Sequence, residues 1–514
     1  MSNKASHHLF ELIKSLNKSE KRYFKVFSSR HTIGEENSYI KLFDFIAKME
    51  EYEEEEIFKH FKGQALLNKF SITKGRLYAN ILKSLDTFYA NSSVDAQLFR
   101  MIHSSEILYN KGLYKQAEKI LNSAEKQARK HETFNLLLEI KQKQKRLIEN
   151  ELYSDIQTAE ITQMFAEEKE IIDEIDLYHQ LWNIKSLLFH EINQKGKVRN
   201  EADTLKLQKL VALSNEIDIS KASTKSSYLF HHIQSAYYFS VNDLKLSYYH
   251  LNAIIELLEK HVTLKKEKPN IYFSALTNII YISTRLQKYE TAQTHLSKLK
   301  KSDNSGKSID LDIKYFSSTF SLELSLLREK GEFEKALELV PQIEEGYRLY
   351  GQHISSLRKA YIDFQIGVIH LSLGNYTKAL EWINKILNEN KIDQKQDIYC
   401  FAQLINLILH FELNNVRFLP YALNSTKRYL KNRNRIYKFE EVFLKLISQI
   451  SKTNNVFDLQ EKLIPLEEEL SKLKEDPKEQ MVFEYFDFLI WVKSKLKQKS
   501  FLEMKQQDIL RLAS

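Results

Sequence analysis

AYIDFQIGVIHLSLGNYTKALEWINKIL, residues 360–387, decides how the rest of the chain is read. Apolar residues recur at helical spacing up to Leu373, the Gly374 and Asn375 pair interrupts them, and a second apolar stripe begins at Tyr376. The stretch predicts one helix, a tight turn, and a second helix packed back on the first. Gly374 ends the first helix where a positive φ is needed, Tyr376 packs over the turn, and the small Ala379 lets the helices approach closely.

The same pattern recurs. Gly112, Tyr114 and Ala117 repeat the spacing, as do Gly331, Phe333 and Ala336; Gln287, Tyr289 and Ala292, and then Asn242, Leu244 and Ser247, repeat it in degraded form. The turn positions 242, 287, 331 and 374 lie 45, 44 and 43 residues apart, with a further turn expected near Asn414 or Asn415. Gly112 to Gly196 spans 84 residues, twice 42, with room for a hairpin turning near Tyr153. One hairpin cannot bury its apolar faces alone, so a regular step of this kind predicts stacked neighbours.

Composition agrees. A chain of 514 residues exceeds one compact core, and only 11 Gly and 5 Pro favour helices with short connections over sheets. The single cysteine, Cys400, lies in an apolar run and reads as a buried thiol in a reducing compartment. No stretch reaches the roughly 18 apolar residues of a membrane span, and the N-terminus lacks the pattern of a signal peptide. A cytoplasmic protein is expected. The formal charge of +8 permits an acidic partner without requiring one.

These hairpins resemble tetratricopeptide repeats, with Ile366, Gly367, Gly374, Tyr376 and Ala379 at the helix-packing positions of the best-fitting one. A step near 43 residues exceeds that family's usual length of about 34. The resemblance implies an all-α fold, a right-handed α-solenoid over residues 93–450, between a small N-terminal helical domain (1–92) and C-terminal capping helices (451–514). It further implies that the first helix of each hairpin lines a groove for a peptide or protein. Aligned on the turns, that groove holds His232, Phe239, Tyr281, Thr284, Arg285, Ser321, Ser325, Arg328, Phe364 and Leu371. Ser, Thr, Tyr and Arg in successive repeats suit an adaptable peptide site; the Lys/Asn clamp that some members use for a C-terminal carboxylate is not reproduced.

Outside the array, the N-terminal region reads as short helices. Ser19 is placed to cap the second, and the last, about 73–89, carries Leu77, Ile81, Leu82, Leu85 and Phe88 on one side. Lys74, Arg76, Tyr78 and Lys83 form the outer face of that helix. Residues 62–72 make too long a connection for the short turn of a DNA-reading helix pair, so a solvated face is expected. Near the other end, residues 481–498 read as one helix that turns Phe483, Phe486, Ile490 and Trp491 inward.

Signs of catalysis are weak. The Gly-Lys-Ser at 306–308 lacks the earlier glycine of a phosphate loop, where Lys301 stands. No histidine spacing suits a helical metal site, and the adjacent pairs His7-His8 and His231-His232 would point about 100° apart. The acidic run at 167–176 lacks the glycine turn of a calcium loop. Neither an enzyme activity, a metal nor a cofactor is expected. One basic patch carries weight: Lys427, Arg428, Tyr429, Lys431, Arg433, Arg435, Tyr437 and Lys438 interleave cations with aromatics as a nucleic-acid or anion site would. The leading expectation is a cytoplasmic protein-interaction scaffold or adaptor. The alternative is a nucleic-acid-associated regulator acting through the N-terminal domain or this patch.

Overall fold

The structure, a computed structural model, describes residues 7–29, 38–154, 156–195, 198, 201–301, 309–389, 397–415, 417–451, 456–476 and 478–513. Gly196 and the Gly-Lys-Ser at 306–308 lie outside them. Among the described residues every regular element is helical and no strand occurs, so the chain is all-α. It divides into two compact units, Met1–Ile175 and Asp176–Ser514.

The first unit opens with α1 (His8–Ser15), α2 (Lys18–Ser29), α3 (Ser38–Lys48), α4 (Glu54–His60) and α5 (Phe70–Phe88). Their stripes close over Leu9, Ile13, Phe24, Leu42, Phe43, Ile46, Phe61, Leu77 and Ile81. Two local expectations need correction. Asn17 caps α2 rather than Ser19: its Oδ1 accepts the Glu20 N–H at 3.0 Å, while the Glu20 carboxylate accepts the Asn17 N–H at 2.6 Å. On α5, Leu77 and Ile81 are buried, but Leu82 and Phe88 are exposed, because the apolar stripe is wider than the surface that covers it. Arg76, Tyr78 and Lys83 are exposed on the same helix, and Lys74 pairs with Glu54.

Next come α6 (Val94–Asn110), α7 (Tyr114–Lys130), α8 (Phe134–Asn150) and the start of α9 (Thr158–Lys195). Gly112 turns α6 into α7 at φ 74°, and Ala117 is buried where the helices meet. The acidic run on α9 is partly engaged: Glu167 accepts from Arg129 at 2.8 Å and Lys141 at 3.0 Å.

The second unit continues with α10 (Glu201–Asn215), α11 (Thr224–Ser240), α12 (Leu244–Lys260), α13 (Val262–Glu267), α14 (Pro269–Arg285), α15 (Tyr289–Lys301), α16 (Ile309–Glu329), α17 (Phe333–Leu337), α18 (Val340–Tyr350), α19 (Ser356–Ser372) and α20 (Tyr376–Leu387). It ends with α21 (Asp397–Glu412), α22 (Leu419–Lys431), α23 (Lys438–Ile450), α24 (Val456–Glu475), α25 (Phe488–Leu496) and α26 (Phe501–Ala513). Paired helices alternate with turns whose key residue takes a left-handed conformation: Asn242 (φ 64°), Gln287 (58°), Gly331 (74°), Gly374 (76°) and Asn414 (54°). Five residues after the first four of these stands a buried small residue, Ser247, Ala292, Ala336 and Ala379 respectively. A larger side chain there would push the two helices apart. The first helices of successive hairpins, α14, α16, α19 and α21, pack side by side.

Residues 481–498 do not form one helix. A 3₁₀ turn covers Gln480–Glu484, residues 485–487 are irregular, and α25 starts at Phe488, where Asp487 Oδ1 accepts the Ile490 N–H at 3.2 Å. Asp487 is a good N-cap that competes with helix continuation. Beyond the break, Phe488 and Trp491 join Phe439, Phe443 and Phe483 in the core that also contains α19 and α21. Glu412 on α21 fastens α25 in place, accepting the Trp491 indole N–H and the Lys495 ammonium, each at 2.6 Å.

Candidate functional site

Side-by-side packing of α14, α16 and α19 lays residues one helical turn apart along a shared face. That face borders a cavity of about 410 Å³ lined by Ile192, Phe239, Ser240, Tyr281, Arg285, Ser321, Leu322, Ser325, Arg328, Tyr361, Phe364, Gln365, Asp397, Ile398, Glu484 and Tyr485. Its size falls within the range of ligand pockets, roughly 300–1,000 Å³. Seven of the ten groove residues expected from sequence meet here: Phe239, Tyr281, Arg285, Ser321, Ser325, Arg328 and Phe364.

The other three do not. Thr284 is buried one position away, its hydroxyl bonded to the Ile280 carbonyl at 2.8 Å. Leu371 is a core residue. His232 stacks against Tyr228 with ring centroids 5.4 Å apart; burial, then nearby Lys185, pushes its pKa down to about 4.

The cavity is partly filled by the chain's own C-terminal segment. Arg328, only 8% exposed, donates to the Glu484 carbonyl at 2.7 Å, the Tyr485 carbonyl at 3.2 Å and the Gln365 side chain at 2.8 Å. The Tyr281 hydroxyl donates to the Glu484 carboxylate at 2.5 Å, and Arg285 Nε lies 3.9 Å from that carboxylate. The Tyr485 ring stacks on Phe401, centroids 3.9 Å apart, and meets Phe364 edge-on at 6.1 Å.

Electrostatics hold this arrangement. Glu329 lies 3.2 Å from both Arg285 and Arg328 and 3.7 Å from Lys505. Burial opposes its ionisation, but Arg285, Lys505 and Arg328 together outweigh burial and hold its carboxyl down at about 2. Burial pushes the Tyr281 hydroxyl well above its ordinary range, and the Glu484 carboxylate adds to the effect, so Tyr281 stays a hydrogen-bond donor at every physiological pH. Glu329 thus orients both arginines, and Tyr281 and Arg328 present donors aimed at oxygen atoms.

Arg285 and Arg328 also border a second, more polar cavity of about 930 Å³, whose far walls carry Lys474, Asp487, Lys493, Lys505, Asp508 and Arg511 of the C-terminal helices. Its charges are largely matched within the protein: Lys474 pairs with Asp487 at 3.0 Å and Lys493 with Glu467 at 3.9 Å.

The basic patch at 426–438 separates into two sets. Arg435 pairs with Asp397 at 3.0 Å, and the Arg433 guanidinium lies 4.0 Å from the centre of the half-buried Tyr429 ring. Tyr437 belongs to the capping box of α23 with Glu440. Lys427, Arg428, Lys431 and Lys438 are exposed. Cys400 is buried, and burial pushes its thiol up to about 11, which keeps it protonated. His231 and His232 diverge as helical geometry requires; His231 Nδ1 instead faces His250 Nδ1 at 3.0 Å. Among the described residues no group of three or more His, Cys, Asp or Glu is placed to hold a metal ion, and no helix is long and apolar enough to cross a membrane.

Sequence reasoning missed Tyr361, Gln365, Asp397, Glu484 and Tyr485. The first two share the face of Phe364 at helical spacing, so periodicity could have found them. Glu484 and Tyr485 follow Arg328 by more than 150 residues, and no local pattern links them.

No protein-family profile matches the chain, and no curated protein matches it. Among solved structures, the chain is similar to NprR in complex with its cognate peptide NprX, at 15% identity and a TM-score of 0.41, over 66% of this chain and 93% of that one. It is also similar to the apo form of RapI, at 13% identity and a TM-score of 0.41, over 79% and 99% of the two chains. The apo form of the quorum sensor NprR from B. thuringiensis matches at 14% identity and a TM-score of 0.39, over 65% and 94%.

Proposed function

We propose that the unit Asp176–Ser514 is a binding module that takes a short peptide, or an exposed segment of a protein, in the cavity on α14, α16 and α19. In this reading the protein is a cytoplasmic scaffold or adaptor without chemistry of its own. One observation carries the reading: Arg328 holds the main-chain carbonyls of Glu484 and Tyr485 at the end of a 3₁₀ turn, which is how a peptide backbone is recognised independently of its side chains. Aromatic walls from Phe239, Tyr281 and Phe364 supply side-chain selectivity. The alternative, contact with nucleic acid through the basic patch, is less well supported, because Arg433, Arg435, Tyr429 and Tyr437 already serve internal contacts.

The test is selection of random dodecapeptides on the immobilised full chain, followed by titration against Ser321→Trp, which fills the cavity from a half-buried position. Selected peptides are expected to lose about tenfold or more in affinity, equivalent to about 1.4 kcal/mol of lost contact. A selection that yields only peptides indifferent to Ser321→Trp refutes the proposal.

A further inference from the structure

We infer that Glu484 and Tyr485 act as an internal ligand of this cavity, and that the external partner is a segment carrying, on a helical turn, an acidic residue followed directly by an aromatic one, bound by exchange with that pair. The inference rests on the peptide-binding reading and adds the chemistry of the ligand.

Every feature of the pair is met by a group from another helix. The Glu484 carboxylate faces the Tyr281 hydroxyl at 2.5 Å and Arg285 at 3.9 Å, both on α14. The carbonyls of Glu484 and Tyr485 accept from Arg328 on α16. The Tyr485 ring is held between Phe401 on α21 and Phe364 on α19. Thus one residue step engages four first helices through three kinds of contact: charge, main-chain hydrogen bonding and ring stacking. A terminal helix could pack on the array through apolar contact alone, as Phe483 and Phe488 do in the neighbouring core. This step instead sits where the 3₁₀ turn Gln480–Glu484 ends, with Tyr485 at φ −76° and ψ −45°, and both of its carbonyls reach Arg328.

The space left beside the pair gives an entering segment room to begin contact before the pair leaves. A competitor must satisfy Tyr281 and Arg328 again, because these buried donors lose heavily if left without an acceptor, and its charge must lie beside Arg285 as the Glu484 carboxylate does at 3.9 Å. An acidic residue followed by an aromatic one does so; a basic or wholly aliphatic segment does not. Since the internal pair is tethered, it competes at high effective concentration, and affinity in the intact chain is correspondingly lowered.

The test uses a fluorescein-labelled peptide copying residues 480–488, with added lysines for solubility, and a control in which the residues copying Glu484 and Tyr485 are both alanine. Anisotropy titrations compare the full chain with the variant Glu484→Gln/Tyr485→Ala. The variant is expected to bind the copy at least about tenfold more tightly than the unmodified chain does, and to ignore the control. In parallel, hydrogen exchange on the unmodified chain with excess copy peptide is expected to speed up at 480–487. Equal affinity for the two chains, equal binding of the control, no binding to a folded variant, or unchanged exchange at 480–487 each overturns the inference. Should the variant fail to fold, the exchange experiment on the unmodified chain decides by itself. Selected peptides that respond to Ser321→Trp but lack an acidic–aromatic pair overturn the internal ligand while leaving the binding site standing.

Discussion

Asp363, on α19, accepts a hydrogen bond from the Tyr347 hydroxyl at 2.8 Å and is almost fully buried. Burial pushes its carboxyl up to about 6, and the Tyr347 bond, with Lys385 and Lys359, only partly opposes it. The folded chain thus holds a proton that the unfolded chain gives up near pH 4. Stability from this group is complete below about pH 4 and is lost as pH rises through about 6. Asp363→Asn keeps an acceptor for Tyr347 without the charge. The variant is expected to be about 1–3 kcal/mol more stable than the parent at pH 7, with the gap closing as pH falls to about 4. Urea unfolding at several pH values measures it, and a difference that does not vary with pH would refute the assignment. Glu329 behaves in the opposite sense: its stabilisation is present above its ordinary range and lost only as pH falls towards about 2.

The unit of construction is the hairpin of α19 and α20. Its turn requires a left-handed residue, and the φ of Gly374 at 76° meets that requirement without strain. A Cβ at Gly374 would meet open space, so Gly374→Ala is expected to cost only the backbone penalty, about 1 kcal/mol. At the equivalent turn of α14 and α15, Gln287 adopts φ 58° with a side chain attached. Gln287→Gly is therefore expected to change stability in the opposite direction, by about 0.5–1 kcal/mol, with the larger entropy of glycine in the unfolded chain trimming the gain. Thermal unfolding of both variants checks the pair, and shifts of the same sign would show that the two turns are not equivalent. The hairpins were legible because the turn residue, the aromatic two positions on and the small residue five positions on are all local. The break at 485–487 is less so, since the apolar run continues through it and Asp487 alone marks the start of the next helix.

Within Asp176–Ser514, α24 to α26 belong to the same core as α19 to α23. Truncation after Ser451 removes Phe483, Phe486, Phe488 and Trp491 from it. At about 1.5–3 kcal/mol for each buried large side chain, the loss is comparable with the entire stability of a domain, about 5–15 kcal/mol. The truncated chain is expected to aggregate or to unfold without cooperativity, as circular dichroism and size-exclusion chromatography would show; a soluble product with an unchanged midpoint would contradict this account. By itself the sequence determined that the chain is helical and where its hairpins turn. Those features follow from short-range periodicity, steric demands at turns and the scarcity of Gly and Pro. Only the tertiary structure decided that Glu484 and Tyr485 enter the cavity on α14, α16 and α19, that Asp397 neutralises part of the basic patch, and that Leu371 and Thr284 are buried. Such pairings join residues far apart in the chain through buried charge and ring contacts, whose energies depend on three-dimensional distance and leave no local pattern to read.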